Sequence, residues 1–263
     1  MTRIVVKIGG HALDSLRPDA TSLAELSQDI TQLNAGGAQV ALVHGGGPQI
    51  SDLLDTVGVA SRFVDGLRVT DTVTMMYVAM ALQHVNVLIT AGLVHNGLSS
   101  AGIGGSDGGL FTSTSLGEPW KRAGATPVVR TDIVRALWEG DFTPVISPFA
   151  LDAEGELLNC NADASAGALA GALNADVLVM LSDIDQLRSD ADDPTSALDR
   201  VDSARVAQLV DSGAARDGMR PKLSAALDAL RAGATRIIIA NGKRPHALRD
   251  ALEGRIPTTE VVQ

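Results

Sequence analysis

Cys160 is the only cysteine in the chain, which excludes an intrachain disulfide and any thiolate metal site. Aromatic residues make up 3% of the 263 positions. The core must therefore be assembled from Val, Leu, Ile and Ala, the mixture used by buried parallel strands and the helices that cover them. Positive charge is scarce: 21 Lys and Arg stand against 31 Asp and Glu, a formal net charge of −10. Such a surface repels nucleic-acid phosphates and anionic membranes, so neither is expected as a partner. The opening residues, Met1 to Lys7, turn polar too early for a signal peptide. No uninterrupted apolar run approaches membrane-spanning length, and the chain reads as cytoplasmic. The common nucleotide fingerprints are also missing. There is no G-x-x-x-x-G-K-[ST], and Gly102-Ile103-Gly104 lacks the third glycine of a dinucleotide turn. No G-x-S-x-G is present either, so hydride transfer and serine hydrolysis lose support.

Short apolar runs alternate with longer amphipathic stretches, the pattern of βαβ units. Strands are expected at 4–8, 40–43, 144–147, 177–181 and 236–240. Helices are expected at 18–34, 48–57, 72–96, 131–139, 162–173, 203–211 and 221–232. Residues 99–130, rich in Gly, Ser and Thr, read as a hairpin or irregular segment, and 188–200 as a solvated loop. No repeat and no linker is visible. The expectation is one α/β unit with a mainly parallel sheet covered on both faces, loosely divided into two lobes near residue 175.

Two glycine turns stand directly after the first two strands: Lys7-Ile8-Gly9-Gly10 and His44-Gly45-Gly46-Gly47. Ligands of open α/β sheets lie beyond the carboxyl ends of the strands. Glycines there let backbone N–H groups approach an anion, although glycines also simply end strands. Lys7 ends a buried strand, where a lysine serves a ligand or snorkels out to water. Lys222 stands beside a glycine at an expected helix start, an electrostatically unfavourable place for a cation. In Asn159-Cys160-Asn161-Ala162-Asp163, helix capping accounts for one of the three polar residues and leaves two unexplained.

These blocks, with Gly66-Leu67-Arg68-Val69-Thr70-Asp71, Leu181-Ser182-Asp183 and Gly218-Met219-Arg220-Pro221-Lys222, resemble the acetylglutamate kinases of the amino acid kinase superfamily. They follow the family's order and spacing from residue 4 to about residue 242. The resemblance implies a three-layer αβα sandwich. It implies an N-lobe (1–175) for the amino acid and for dimerisation, and a C-lobe (176–263) for ATP with Mg²⁺. The substrate it implies is N-acetyl-L-glutamate, phosphorylated on its side-chain carboxylate in arginine biosynthesis. Carried over by position, Lys7 and Lys222 contact the transferring phosphoryl group and Asp163 holds the lysines. Gly10 and Gly46 donate N–H groups. Gly45, Gly46, Arg68, Asn159 and Asn161 bind the amino acid, while Gly9, Gly10, Ser182 and Asp183 stand on the nucleotide side. Asp183 serves there as a nucleotide or metal contact, or as a helix cap. No protein-bound metal cluster is expected.

Three departures from the family pattern stand out: Gly104-Gly105-Ser106-Asp107-Gly108, Asn86-Val87 in place of an asparagine–lysine pair, and Thr258-Thr259 in place of Gly-Thr. Cys160 replaces an aliphatic residue and reads as a small buried hydrophobe. The chain begins almost at its first strand, without room for the extra N-terminal helix of arginine-regulated members, so arginine-insensitive activity is expected. The resemblance implies a homodimer through N-lobe helices. A sister kinase acting on a carrier-linked aminoadipate or glutamate is the nearest rival, together with a related acyl amino acid of specialised metabolism. A non-catalytic effector-binding protein is the rival from another class.

Overall fold

The computed structural model describes residues 1–10, 16–190, 193, 195–211, 223, 226–227, 229–231 and 233–262. Its centre is an eight-stranded sheet. The strands are β1 (Arg3–Ile8), β2 (Gln39–His44), β3 (Ser100–Gly104), β4 (Thr143–Ser147), β5 (Val177–Ser182), β6 (Arg200–Asp202), β7 (Arg236–Asn241) and β8 (Thr258–Val262). Their spatial order is β6-β8-β7-β5-β1-β2-β4-β3, and only the β7–β8 pair is antiparallel. The sheet runs without a break through residue 175, because β5 pairs directly with β1, Ile8 opposite Leu181.

Seven labelled helices accompany it: α1 (Thr21–Ala35), α2 (Gly47–Thr56), α3 (Thr72–His95), α4 (Asp132–Glu139), α5 (Ala162–Leu173), α6 (Ser203–Asp211) and α7 (Ala247–Leu252). The strand period of two divides the core between two faces. Ile4, Val6, Ile8, Val40 and Leu42 pack with α1, α3 and α7. Val5, Ala41, Val43, Leu178 and Met180 pack with α4, α5 and α6. Val5 and Val6 are both fully buried, and each contributes roughly 1.5 kcal/mol or more of apolar transfer. α5 is built largely from Ala and Gly so that a neighbour can approach closely. A Cβ on Gly167 would lie 2.3 Å from the Ala229 Cα.

The segment expected to be irregular contributes β3, the sheet-edge strand, and part of a second sheet of six short strands that includes Lys121–Gly124, Phe149–Leu151 and Leu157–Asn159. Gly and Ser dilute the strand signal of Ser100–Gly104, and the glycine at 102 is there for a neighbour on α3. β6, α7 and β8 were not foreseen either. The expected helix 221–232 falls largely outside the described residues, with 223, 226–227 and 229–231 helical. α3 holds no Asp, Glu, Lys or Arg in its 24 residues, and by length and composition alone it could cross a membrane, although Gln83, His84 and Asn86 interrupt its apolar run. Here its inner face, with Val85, Ile89 and Leu93, is buried on the sheet.

The departures from the family pattern find structural places. Asp107 accepts the Gly104 N–H at 2.8 Å, closing the loop after β3, and that loop does not line the cleft described below. Val87 points outward from α3, 61% exposed. Thr259 is fully buried, accepting the Leu187 N–H at 2.9 Å and donating to the Leu198 carbonyl at 2.5 Å.

Candidate active site

β1 alternates, so Lys7 points to the same face as Val5, toward α5. α5 begins at Asn161, whose side-chain oxygen accepts the N–H groups of Asp163 (2.8 Å) and Ala164 (3.1 Å). This cap places Asp163 in the first turn, where the helix dipole favours a carboxylate. Lys7 Nζ reaches Asp163 Oδ1 at 2.7 Å, with the side chains 14% and 20% exposed. Asn161 is thus the capping residue of its motif, and Asp163 is the one that carries charge to the cleft.

The two glycine turns meet beside this pair. An added Cβ on Gly45 would lie 3.5 Å from the Gly10 nitrogen, so the turns adjoin. Two of the amides belong to the sheet: Gly9 donates to the Leu181 carbonyl and Gly45 to the Ile8 carbonyl, each at 2.9 Å. The N–H groups of Gly10, Gly46 and Gly47 have no partner among the described residues. A side chain at Gly10 would meet the rigid Pro48 ring, its Cβ 2.9 Å from Pro48 Cδ, and one at Gly46 would have to displace Leu82, whose Cδ2 would stand 2.9 Å away. Free N–H groups at the start of α2, beside an ammonium, form a cradle for an anion.

Lys7, Gly10, Gly46, Arg68, Asn159 and Asp163 all line one cleft of about 310 Å³, within the size range of small-molecule sites. Arg68 arrives on a hairpin, Phe63–Val64 with Leu67–Arg68. Its Asp65-Gly66 turn has φ of 49° and 78° at the two central residues, the geometry that Asp-Gly favours. That dipeptide was a hairpin signal that the sequence reading passed over. Arg68 is 7% exposed and lies 4.6 Å over the Phe63 ring. It donates to Ser61 Oγ (2.6 Å), Ser51 Oγ (3.0 Å) and the Gly47 carbonyl (3.2 Å). Burial pulls it down from its ordinary value while Asp55 opposes the shift. Asn159 donates to Thr70 Oγ1 at 3.1 Å, and Thr70 donates to the Arg68 carbonyl at 2.8 Å. Thr70 is a member of the site that sequence reasoning left without a role.

Ser182 and Asp183 stand where β5 ends, next to β1, and Ser182 Oγ accepts the Ile184 N–H at 3.3 Å. Lys222 lies outside the described residues. Among the described residues no three His, Cys, Asp or Glu gather to hold a metal ion. Cys160 lines the cleft, buried, with its thiol pushed up to about 12 chiefly by desolvation. His44, also unassigned from sequence, is fully buried beneath the second glycine turn.

Residues 2–241 match the model of the amino acid kinase family. Acetylglutamate kinase from Rubrobacter xylanophilus is 40% identical over 255 residues, covering 97% of this chain and 94% of the relative. Acetylglutamate kinase from Archaeoglobus fulgidus is 36% identical over 259 residues, covering 94% and 88%. Among solved structures, smu.665 from Streptococcus mutans superposes with a TM-score of 0.78 at 26% identity, covering 91% of this chain and 94% of that one.

Proposed function

The chain belongs to the amino acid kinase family, and within it to the acetylglutamate kinases. On that premise we propose that it transfers the γ-phosphoryl group of ATP to the side-chain carboxylate of N-acetyl-L-glutamate, giving an acyl phosphate in arginine biosynthesis. The observation that carries this reading is the Lys7–Asp163 pair beside two adjoining glycine turns, with Arg68 in the same cleft.

The acceptor carboxylate is ionised at pH 7, so no general base is needed. The barrier lies in bringing two anions together and in spreading charge over the transferring group. Lys7, steered by Asp163, and the N–H groups of Gly10 and Gly46 meet that charge, with Lys222 assigned as the second lysine. Arg68 pairs with the α-carboxylate through a fork that Lys cannot reproduce, because Ser51, Ser61 and the Phe63 ring fix its plane. Gly45, Asn159 and Asn161 complete the amino-acid side.

Gly9, Ser182 and Asp183 are assigned to the nucleotide side, in a C-lobe running from 176 to 263 beside an N-lobe from 1 to 175. Mg²⁺ bound with the nucleotide would supply neutralisation of the phosphate charge there, and Asp183, at the end of β5 on the nucleotide side, is the carboxylate that would face it. The protein is assigned to the cytoplasm, with neither nucleic acid nor membrane as partner.

A hydroxylamine trap with ATP, Mg²⁺ and, in parallel, N-acetylglutamate, glutamate or α-aminoadipate tests the reaction. Acyl hydroxamate with N-acetylglutamate alone is the expected result. Silence with all three acceptors would overturn the reading.

We assign a homodimer through α3. Val73, Met76, Met80, Val87 and Val94 form a stripe on its outer face, each more than half exposed. Met80→Lys should halve the mass seen in sedimentation equilibrium. A wild-type protein that sediments as a monomer would sink this assignment.

A further inference from the structure

β2 alternates as β1 does, so His44 points away from Lys7, toward α3. Its ring is 1% exposed and lies beneath the cleft floor rather than in it. Nδ1 stands 2.8 Å from the Gly45 carbonyl oxygen, which can only accept, so Nδ1 carries the hydrogen. Desolvation by burial pulls the imidazole down to about 4, so the ring is neutral at pH 7 and Nε2 is a bare acceptor. Two groups able to donate face Nε2: Asn86 Nδ2 at 3.2 Å and Ser147 Oγ at 3.1 Å, whose one hydrogen is shared with Gln83 Oε1, also at 3.1 Å.

Asn86 Nδ2 is fixed in turn by the Val145 carbonyl at 2.8 Å and the Ile103 carbonyl at 3.4 Å. Its Oδ1 lies against β3 at Gly102, where an added Cβ would stand 2.0 Å away. One helix, α3, and two strands, β3 and β4, thus converge on a neutral imidazole carried by a third strand, β2. A trans peptide is planar, with its C=O and N–H directed oppositely. Holding the Gly45 oxygen therefore sets the direction of the Gly46 N–H, which is unpartnered among the described residues.

We propose that His44 is a positioning residue: through Nδ1–H it holds the Gly45 carbonyl and so aims the Gly46 N–H into the cleft at the phosphoryl group, while Asn86 and Ser147 lock the ring. The target of that N–H rests on the phosphoryl-transfer reading. The tautomer and the carbonyl clamp do not.

The first test is therefore independent of turnover. ¹⁵N NMR of the wild-type protein should show His44 protonated at Nδ1 and bare at Nε2 from pH 6 to 9 (a range set by the experiment). An Nε2–H tautomer would overturn the proposal. Inorganic phosphate should shift the Gly46 amide resonance in the wild type and not in His44→Gln, and an equal shift in both would also overturn it.

The second test compares two amides. Asn places its nitrogen near the Nδ1 position, and Gln places its nitrogen near Nε2. His44→Asn should keep kcat within about tenfold of wild type, whereas His44→Gln should lose about a hundredfold, the scale of one misplaced oxyanion donor. KM for both substrates should stay within about threefold in each variant. Equal losses in the two variants, tracking equal losses in melting temperature, would mark a merely structural role and sink the idea. Should His44→Gln fail to fold, the wild-type tautomer decides. Absence of acyl phosphate in the wild type would fall on the functional reading and leave the tautomer and phosphate measurements standing.

Discussion

Lys7 Nζ lies 2.7 Å from Asp163 Oδ1, and neither side chain is more than about a fifth exposed. The two charges come from opposite structural sources: a strand end that would otherwise bury an ammonium, and a helix start that favours a carboxylate. The pair holds a cation at the edge of a cleft without removing it from reach of an anion.

Replacing Asp163 by Asn keeps the shape and removes the charge that steers Lys7. Turnover should fall by about 10²–10³-fold, the range for loss of one preorganised charge-stabilising contact. Stability should change by only ~1 kcal/mol, since the pair retains some solvent. Steady-state kinetics beside urea unfolding checks this, and wild-type rates in the variant would refute the assignment. Lys7→Ala should behave alike in turnover.

Arg68→Lys keeps a positive charge and loses the fork stacked on Phe63. KM for the acidic acceptor should rise at least about tenfold while KM for ATP holds within about threefold. Initial rates with each substrate varied in turn separate the two. An equal rise in both would mean that Arg68 supports the fold of the cleft rather than the acceptor.

The buried imidazole of His44, down at about 4, makes stability depend on pH in a predictable direction. Unfolded, an ordinary histidine binds its proton near pH 6.5, so between pH 6.5 and about 4 the unfolded chain holds more protons. The stabilising contribution is complete above that window and is lost as pH falls through it. Urea unfolding at pH 7 and pH 5 should differ by roughly 2 kcal/mol more in the wild type than in His44→Asn. Parallel curves for the two proteins would contradict the buried neutral ring.

Cys160, pushed up to about 12, should be almost inert as a nucleophile. Alkylation by iodoacetamide at pH 8 should run about 10³-fold slower in the native protein than in urea, because the thiolate is the reacting form. Comparable rates would show an accessible, ordinary thiol.

Much of the site could be read along the chain because each part is a local motif with its own physical reason. Gly10 and Gly46 follow buried strands and permit close approach. Asn161 caps a helix, and Asp163 sits in its first turn. The alternation Val5–Val6–Lys7 fixes that Lys7 and Val6 face opposite ways. β3 and β8 were less legible: Ser100–Gly104 has too many small residues to carry a strand period, and Thr258–Val262 is held by pairing with β7.

The sequence by itself determined the α/β class, the two glycine turns and which side chains of each strand share a face, since these follow from a period of two and from backbone sterics. Only the tertiary structure decided that β1 lies between β5 and β2, so that Lys7 meets Asp163 and Gly10 adjoins Gly45. It alone brought Asn86 and Ser147 to His44. Those meetings depend on strand order and on packing between residues far apart in the chain, and no local propensity encodes them.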